Sequence, residues 1–127
     1  MKIIGIGVDI VQNKRIKSLI RNKSFIKRIY TKNEIRLSNK TKNKTNFFSK
    51  RFAAKESLVK ALGTGFRDNI NFKDIQILNS KSGKPYYANT KKMNKMIKER
   101  FNIKNYYLFL SITDEKDYSV AFTILQK

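Results

Sequence analysis

The stretch at positions 47–62 constrains this chain more than any other. It holds no glycine or proline and is rich in Ala, Lys, Leu and Glu, which predicts a long helix. Gly63-Thr64-Gly65 follows at once and stops it, because glycine accepts a left-handed C-terminal cap without strain. Phe52, Val59 and Leu62 recur along the run, so the helix should lie at the centre of the fold.

The remaining elements are arranged around that helix. Positions 2–11 read as a first strand, with Ile4, Ile6, Val8 and Ile10 on one face and Ile3, Gly5, Gly7, Asp9 and Val11 on the other. Two glycines on one strand face predict close approach by something else, and a carboxylate beside such side-chain-free backbone leaves room for a hydrated cation and a phosphate. Short helices are expected at 13–21 and 25–30. Thr31 and Glu34 match a capping box that opens another. Positions 38–46 are polar and aperiodic and read as a loop. Positions 72–78 read as a strand, 79–85 as a turn and 86–88 as its return strand, with a helix over 91–101. Positions 106–113 and 117–125 form a hairpin, in which Leu108, Leu110 and Ile112 are expected to face Tyr118, Val120, Phe122 and Ile124. The pattern predicts one α+β domain over 1–127, with antiparallel sheet and one long central helix.

The chemistry is limited by what is missing. There is no Cys, so disulfides, thiolate catalysis and cysteine-based zinc sites are excluded, and no His, so the commonest general base is absent too. Carboxylates, Lys, Arg, Tyr, hydroxyls or a bound cation must suffice. Lys and Arg number 29 against 9 Asp and Glu, a formal net charge of +20. Part of this reflects a bias toward Lys, Asn and Ile, but such a field still attracts anionic partners. Six Tyr and nine Phe accompany the charge; they fall on apolar faces, and no nucleic-acid-binding fingerprint appears. No run reaches the roughly 18 apolar residues of a membrane span, and the apolar start is too short for a signal peptide, so a soluble cytoplasmic protein is expected.

Two acidic residues stand out. Asp9 has two readings: a cap for the following helix with Gln12 as box partner, or a metal ligand beside side-chain-free backbone. Glu56 also has two. It and Lys60 form an ordinary i,i+4 ion pair, or a half-buried carboxylate that needs a cation. Taken together, Asp9 and Glu56 could serve Mg²⁺, which takes one or two carboxylates and fills its octahedron with substrate phosphate and water. Lys60 and Arg51 would supply charge for phosphate oxygens.

At these residues the chain resembles the acyl-carrier-protein synthase family of 4′-phosphopantetheinyl transferases. The resemblance rests on three motifs: Gly5-Ile6-Gly7-Val8-Asp9-Ile10-Val11 with Arg15-Ile16; Arg51-Phe52-Ala53-Ala54-Lys55-Glu56-Ser57 with Lys60-Ala61-Leu62-Gly63-Thr64-Gly65; and Gly83-Lys84-Pro85. It implies Asp9 and Glu56 as Mg²⁺ ligands, Lys60 as the phosphate-binding and catalytic lysine, and Arg51, Gly63, Thr64 and Gly65 along coenzyme A. Arg15 would meet an acidic acyl carrier protein. The implied reaction moves 4′-phosphopantetheine from coenzyme A to a carrier serine, releases adenosine 3′,5′-bisphosphate and supports fatty acid biosynthesis. Glu56, acting through a water on the cation, is the candidate base. The family form is a homotrimer with sites at subunit interfaces. Gln12, where Glu is usual, Asn13, where an aliphatic residue is common, and Asp114, where many relatives have His, depart from the pattern.

Overall fold

The computed structural model describes residues 1–66 and 70–127. In chain order the elements are β1 (Ile3–Gln12), α1 (Asn13–Leu19), α2 (Lys23–Ile29), α3 (Lys32–Ser38), α4 (Lys44–Leu62), a 3₁₀ turn (Phe72–Asp74), β2 (Ile77–Asn79), β3 (Pro85–Tyr87), α5 (Lys91–Phe101), β4 (Tyr107–Asp114) and β5 (Tyr118–Gln126). The strands form an antiparallel three-stranded sheet ordered β1-β5-β4 and a separate β2-β3 pair. The long helix α4 lies across β1 and β5, and most of its residues are buried, so the expected α+β architecture around a central helix is what the chain adopts. Among the described residues no helix is long and apolar enough to cross a membrane.

The two glycines of β1 explain how α4 sits so close. A Cβ at Gly5 would fall 2.0 Å from the carbonyl oxygen of Ala61, and one at Gly7 would fall 1.8 Å from that of Ser57. The strand backbone therefore lies directly against the helix backbone. This is the close approach that the two glycines predict, made by α4, which fills the room beside them that the metal-ligand reading of Asp9 gives to a cation and a phosphate.

Other expectations shift for local reasons. Asn43 accepts a hydrogen bond from the Asn46 amide at 3.1 Å and starts α4 at Lys44, inside the expected loop. The expected strand over 72–78 begins instead as a 3₁₀ turn, because Asp74 accepts from the Asn71 amide at 2.8 Å and bends the chain before β2. The C-terminal hairpin forms, but one residue out of the expected pairing. Leu108 is opposite Leu125, Leu110 opposite Thr123 and Ile112 opposite Ala121, on the face that meets α4. Period-two alternation gives two faces but not which residues of the two strands share one. In β1 a bulge at Ile4 separates it from Ile6, Val8 and Ile10 and lets it pack against the core.

The opposite sheet face is open and apolar. Val8 pairs with Phe122, and Ile6, Ile124 and Phe109 form a row across all three strands. Ile10 is 63 % exposed and Phe109 49 %.

Below α4 a buried charge cluster fastens the helical half. Lys55 and Glu34 form an ion pair at 2.7 Å with no exposure on either side chain. Lys55 Nζ also donates to the carbonyls of Ile29, Phe72 and Ile75 at 2.9, 3.0 and 2.7 Å. Glu34 accepts from the amides of Thr31 at 2.9 Å and Ile77 at 3.0 Å, so the expected capping box is present and its Glu does more than cap.

Candidate active site

Asp9 lies on β1 opposite Ala121, on the strand face turned toward α4. Its side chain does not cap α1. The cap position belongs to Gln12, which makes no side-chain capping bond, so that reading of Asp9 is set aside. Asp9 Oδ1 instead accepts from Lys60 Nζ at 3.0 Å. The ion pair thus joins residues 51 positions apart rather than the i,i+4 pair expected with Glu56. The Lys60 side chain is 54 % exposed and that of Asp9 14 %.

Glu56 sits one turn before Lys60 on α4 and is half-buried. Burial pushes its carboxyl above the ordinary carboxylate range, and the nearby Asp9 charge pushes the same way; Lys60 and Arg15 partly offset them. Two carboxylates from distant parts of the sequence therefore feel one another at one spot, with Lys60 and Arg15 beside them. Among the described residues there is no group of three or more His, Cys, Asp or Glu placed to hold a metal ion. The described residues form no closed protein cage, but an all-oxygen pair suits a hard cation that completes its shell from substrate and water.

The turn at 63–65 lies at the end of the same helix. Gly63 has φ 72° and Gly65 φ 59°, the left-handed region that glycine tolerates. Thr64 between them is buried, and its hydroxyl donates to the Gly65 carbonyl at 2.6 Å. Arg100 reaches over from α5, and its Nε donates to the Leu62 carbonyl at 2.9 Å. Nothing in the local pattern of α5 marks this arginine, and sequence reasoning missed it.

Arg51 is not in this cluster. It precedes Lys60 by nine residues, roughly 13 Å along the helix axis. Its guanidinium stacks on Phe47 at 3.7 Å and donates to Asn79 Oδ1 at 2.7 Å. There it lines a groove of about 220 Å³ with Lys50, Gly83, Pro85 and Asp114. The second and third motifs meet in this groove, not at Asp9.

Two departures from the family pattern acquire structural explanations. Asn13 is buried, donates to the carbonyls of Glu115 and Lys116 at 2.9 and 3.1 Å and accepts from Ser119 at 2.8 Å, so it fastens the β4–β5 turn to the end of β1. Asp114 accepts from Asn46 at 2.8 Å and ties the end of β4 to the start of α4. Nothing in the structure explains Gln12.

The geometry can be set beside known proteins. The family model of the 4′-phosphopantetheinyl transferase superfamily matches residues 5–123. The chain is 58 % identical to the holo-[acyl-carrier-protein] synthase of Pelagibacter ubique over 127 residues, covering 100 % of this chain and 99 % of the relative. The crystal structure of the Neisseria meningitidis synthase superposes with a TM-score of 0.89 at 37 % identity, covering 99 % of this chain and 100 % of that one. The Bacillus anthracis synthase, solved in complex with CoA (3′,5′-ADP), gives a TM-score of 0.80 at 33 % identity over 98 % and 96 % of the two chains. With its motifs, its fold and these matches agreeing along nearly the whole length, the chain belongs to the 4′-phosphopantetheinyl transferase superfamily, in the family of holo-[acyl-carrier-protein] synthases.

Proposed function

We propose that this chain is a holo-[acyl-carrier-protein] synthase that transfers 4′-phosphopantetheine from coenzyme A to a serine of apo acyl carrier protein and releases adenosine 3′,5′-bisphosphate. The observation that carries the reading is the convergence of Asp9, Glu56 and Lys60 at the contact of β1 and α4. Asp9 and Glu56 are the residues that would hold Mg²⁺. When bound, the ion supplies charge stabilisation for the diphosphate of coenzyme A and its leaving oxygen. Lys60 places a cation against the transferring phosphate, and Gly63, Thr64 and Gly65 line its approach. Glu56 takes the proton of the attacking serine through a water. Arg51 holds the nucleotide end of coenzyme A.

Arg51 opens into a different groove from the Asp9–Glu56 pair, and the outer sheet face presents Ile6, Val8, Ile10 and Phe122 uncovered. Both features favour a homotrimer, with the sheet face covered by neighbouring protomers and one protomer's Arg51 groove set against its partner's carboxylates. Light scattering on the wild type and on Val8→Lys tests this; a wild-type monomer would refute it. The reaction would take place in the cytoplasm, and the basic surface, including Arg15, would meet the acidic carrier.

The direct test mixes the purified chain with apo carrier, coenzyme A and Mg²⁺ and weighs the carrier by mass spectrometry. A phosphopantetheine mass gain is expected. It should be lost with EDTA, with Asp9→Ala and with Glu56→Ala. A gain that survives all three would remove the carboxylate-pair mechanism. A mobility shift with random DNA and RNA at physiological salt checks the other outlet for a charge of +20; no saturable complex is expected.

A further inference from the structure

The turn at 63–65 follows the C-terminal end of a 19-residue helix. Unpaired carbonyls and the negative pole of the helix dipole gather at such an end, which is an unfavourable neighbour for a phosphate. Lys60 lies in the last turn, but its ammonium is engaged with Asp9 on the β1 side. A second cation arrives from another element. Arg100 of α5 donates through Nε to the Leu62 carbonyl at 2.9 Å, and its guanidinium would lie 3.8 Å from a Cβ on Gly63. It shares with Thr64, Ile70, Met93 and Met96 the wall of a cavity of about 560 Å³. Arg100 thus occupies one of the terminal carbonyls, places positive charge at the negative pole and braces the residue at which the chain turns left-handed.

We propose that Arg100 is a positioning residue for coenzyme A: by capping the end of α4 it fixes the Gly63-Thr64-Gly65 turn and makes that helix end compatible with a phosphate-bearing ligand. The inference rests on the reading of this turn as part of the coenzyme A site. Arg100 acts through the turn, so the affinity for coenzyme A changes when it is removed, while turnover at saturation and the stability of the fold change little.

The experiment measures coenzyme A binding by calorimetry, together with KM and kcat, for the wild type, Arg100→Met, Arg100→Lys and Lys104→Met. Lys104→Met removes an equal charge from an exposed loop and controls for the general field. About a tenfold rise in Kd and KM is expected for Arg100→Met, the equivalent of losing one charged hydrogen bond, with kcat within about twofold. Arg100→Lys, which can still donate to a carbonyl, should recover part of the affinity, and Lys104→Met should match the wild type. An unchanged Kd in Arg100→Met, or an equal loss in Lys104→Met, overturns the proposal. If Arg100→Met does not fold, the comparison of Arg100→Lys with the wild type decides: a Kd and KM identical to wild type also overturn it. If the wild type itself fails to bind coenzyme A, it is the reading of the site that falls.

Discussion

Two ion pairs share helix α4, and they are opposites. Lys55–Glu34 has no solvent exposure, and its ammonium meets four oxygens between 2.7 and 3.0 Å while its carboxylate accepts from two backbone amides besides. An ammonium has three protons, so this cluster is saturated and has nothing left to offer a ligand. Lys60–Asp9 is a single contact at 3.0 Å, half open to water, beside a third charged group, Glu56, whose carboxyl is pushed up by burial and by Asp9. The first pair holds elements together. The second has spare oxygens, an exposed cation and an unbalanced carboxylate, which is what a substrate or metal ion can use. A short distance between opposite charges therefore says little about role; the remaining bonding capacity says more.

The sharpest way to break this comparison is Lys55→Met. It strands Glu34 in the core, and a loss of about 3–5 kcal/mol in unfolding free energy is expected by denaturant titration. A variant as stable as the wild type would mean that the buried cluster is not structural. Next in size, Lys60→Ala should leave the fold within about 1 kcal/mol, since exposed pairs contribute little, yet lower the transfer rate roughly 10²–10³-fold, as loss of a preorganised transition-state contact does. Equal damage to stability and rate would erase the distinction between the pairs.

Glu56→Gln examines the same site through pH, in protein treated with EDTA. Because the folded-state pKa of Glu56 is raised, the native state binds more protons than the unfolded state as pH climbs from the ordinary carboxylate range through the folded pKa. Stability is therefore lost across that window, and Glu56 is a burden at neutral pH. The Gln variant is expected to melt higher than wild type at pH 7, with the gain fading toward about pH 4. A lower melting temperature at pH 7 would show that Glu56 is compensated in the free protein. The smallest effect concerns the field. The apparent KM for the carrier should rise steadily as salt shortens the Debye length below about 8 Å, and the rise should be shallower in Arg15→Gln.

Much of the fold was legible because its signals are local. The helix at 47–62 and its glycine stop, the Thr31–Glu34 box and the C-terminal hairpin each follow from residues within a few positions of one another. The misreadings came where a contact spans the chain. The hairpin slipped by one residue because alternation does not fix pairing. Gly5 and Gly7 announce a close approach, but no short-range pattern says that the backbone of Ser57 and Ala61 makes it. Among the candidate site residues, residue type and motif pick out Asp9, Glu56 and Lys60. Arg100 is not among them, since an arginine at a helix end is unremarkable until the element it touches is known.

The amino-acid order by itself determined that α4 is helical and where it must stop, which side chains can bear oxygen ligands or phosphate-binding charge in a chain without His or Cys, and the motifs that place it among the phosphopantetheinyl transferases. Only the tertiary structure decided which charges share a site. Asp9 left the cap it could have made and paired with Lys60, Lys60 thereby left Glu56, Lys55 turned to Glu34, and Arg51 moved into another groove. The physical reason is reach. Capping and helix periodicity act over three or four residues, whereas the partner of a long charged side chain is set by which backbones pack together, and here two glycines let β1 lie against α4 closely enough to choose it.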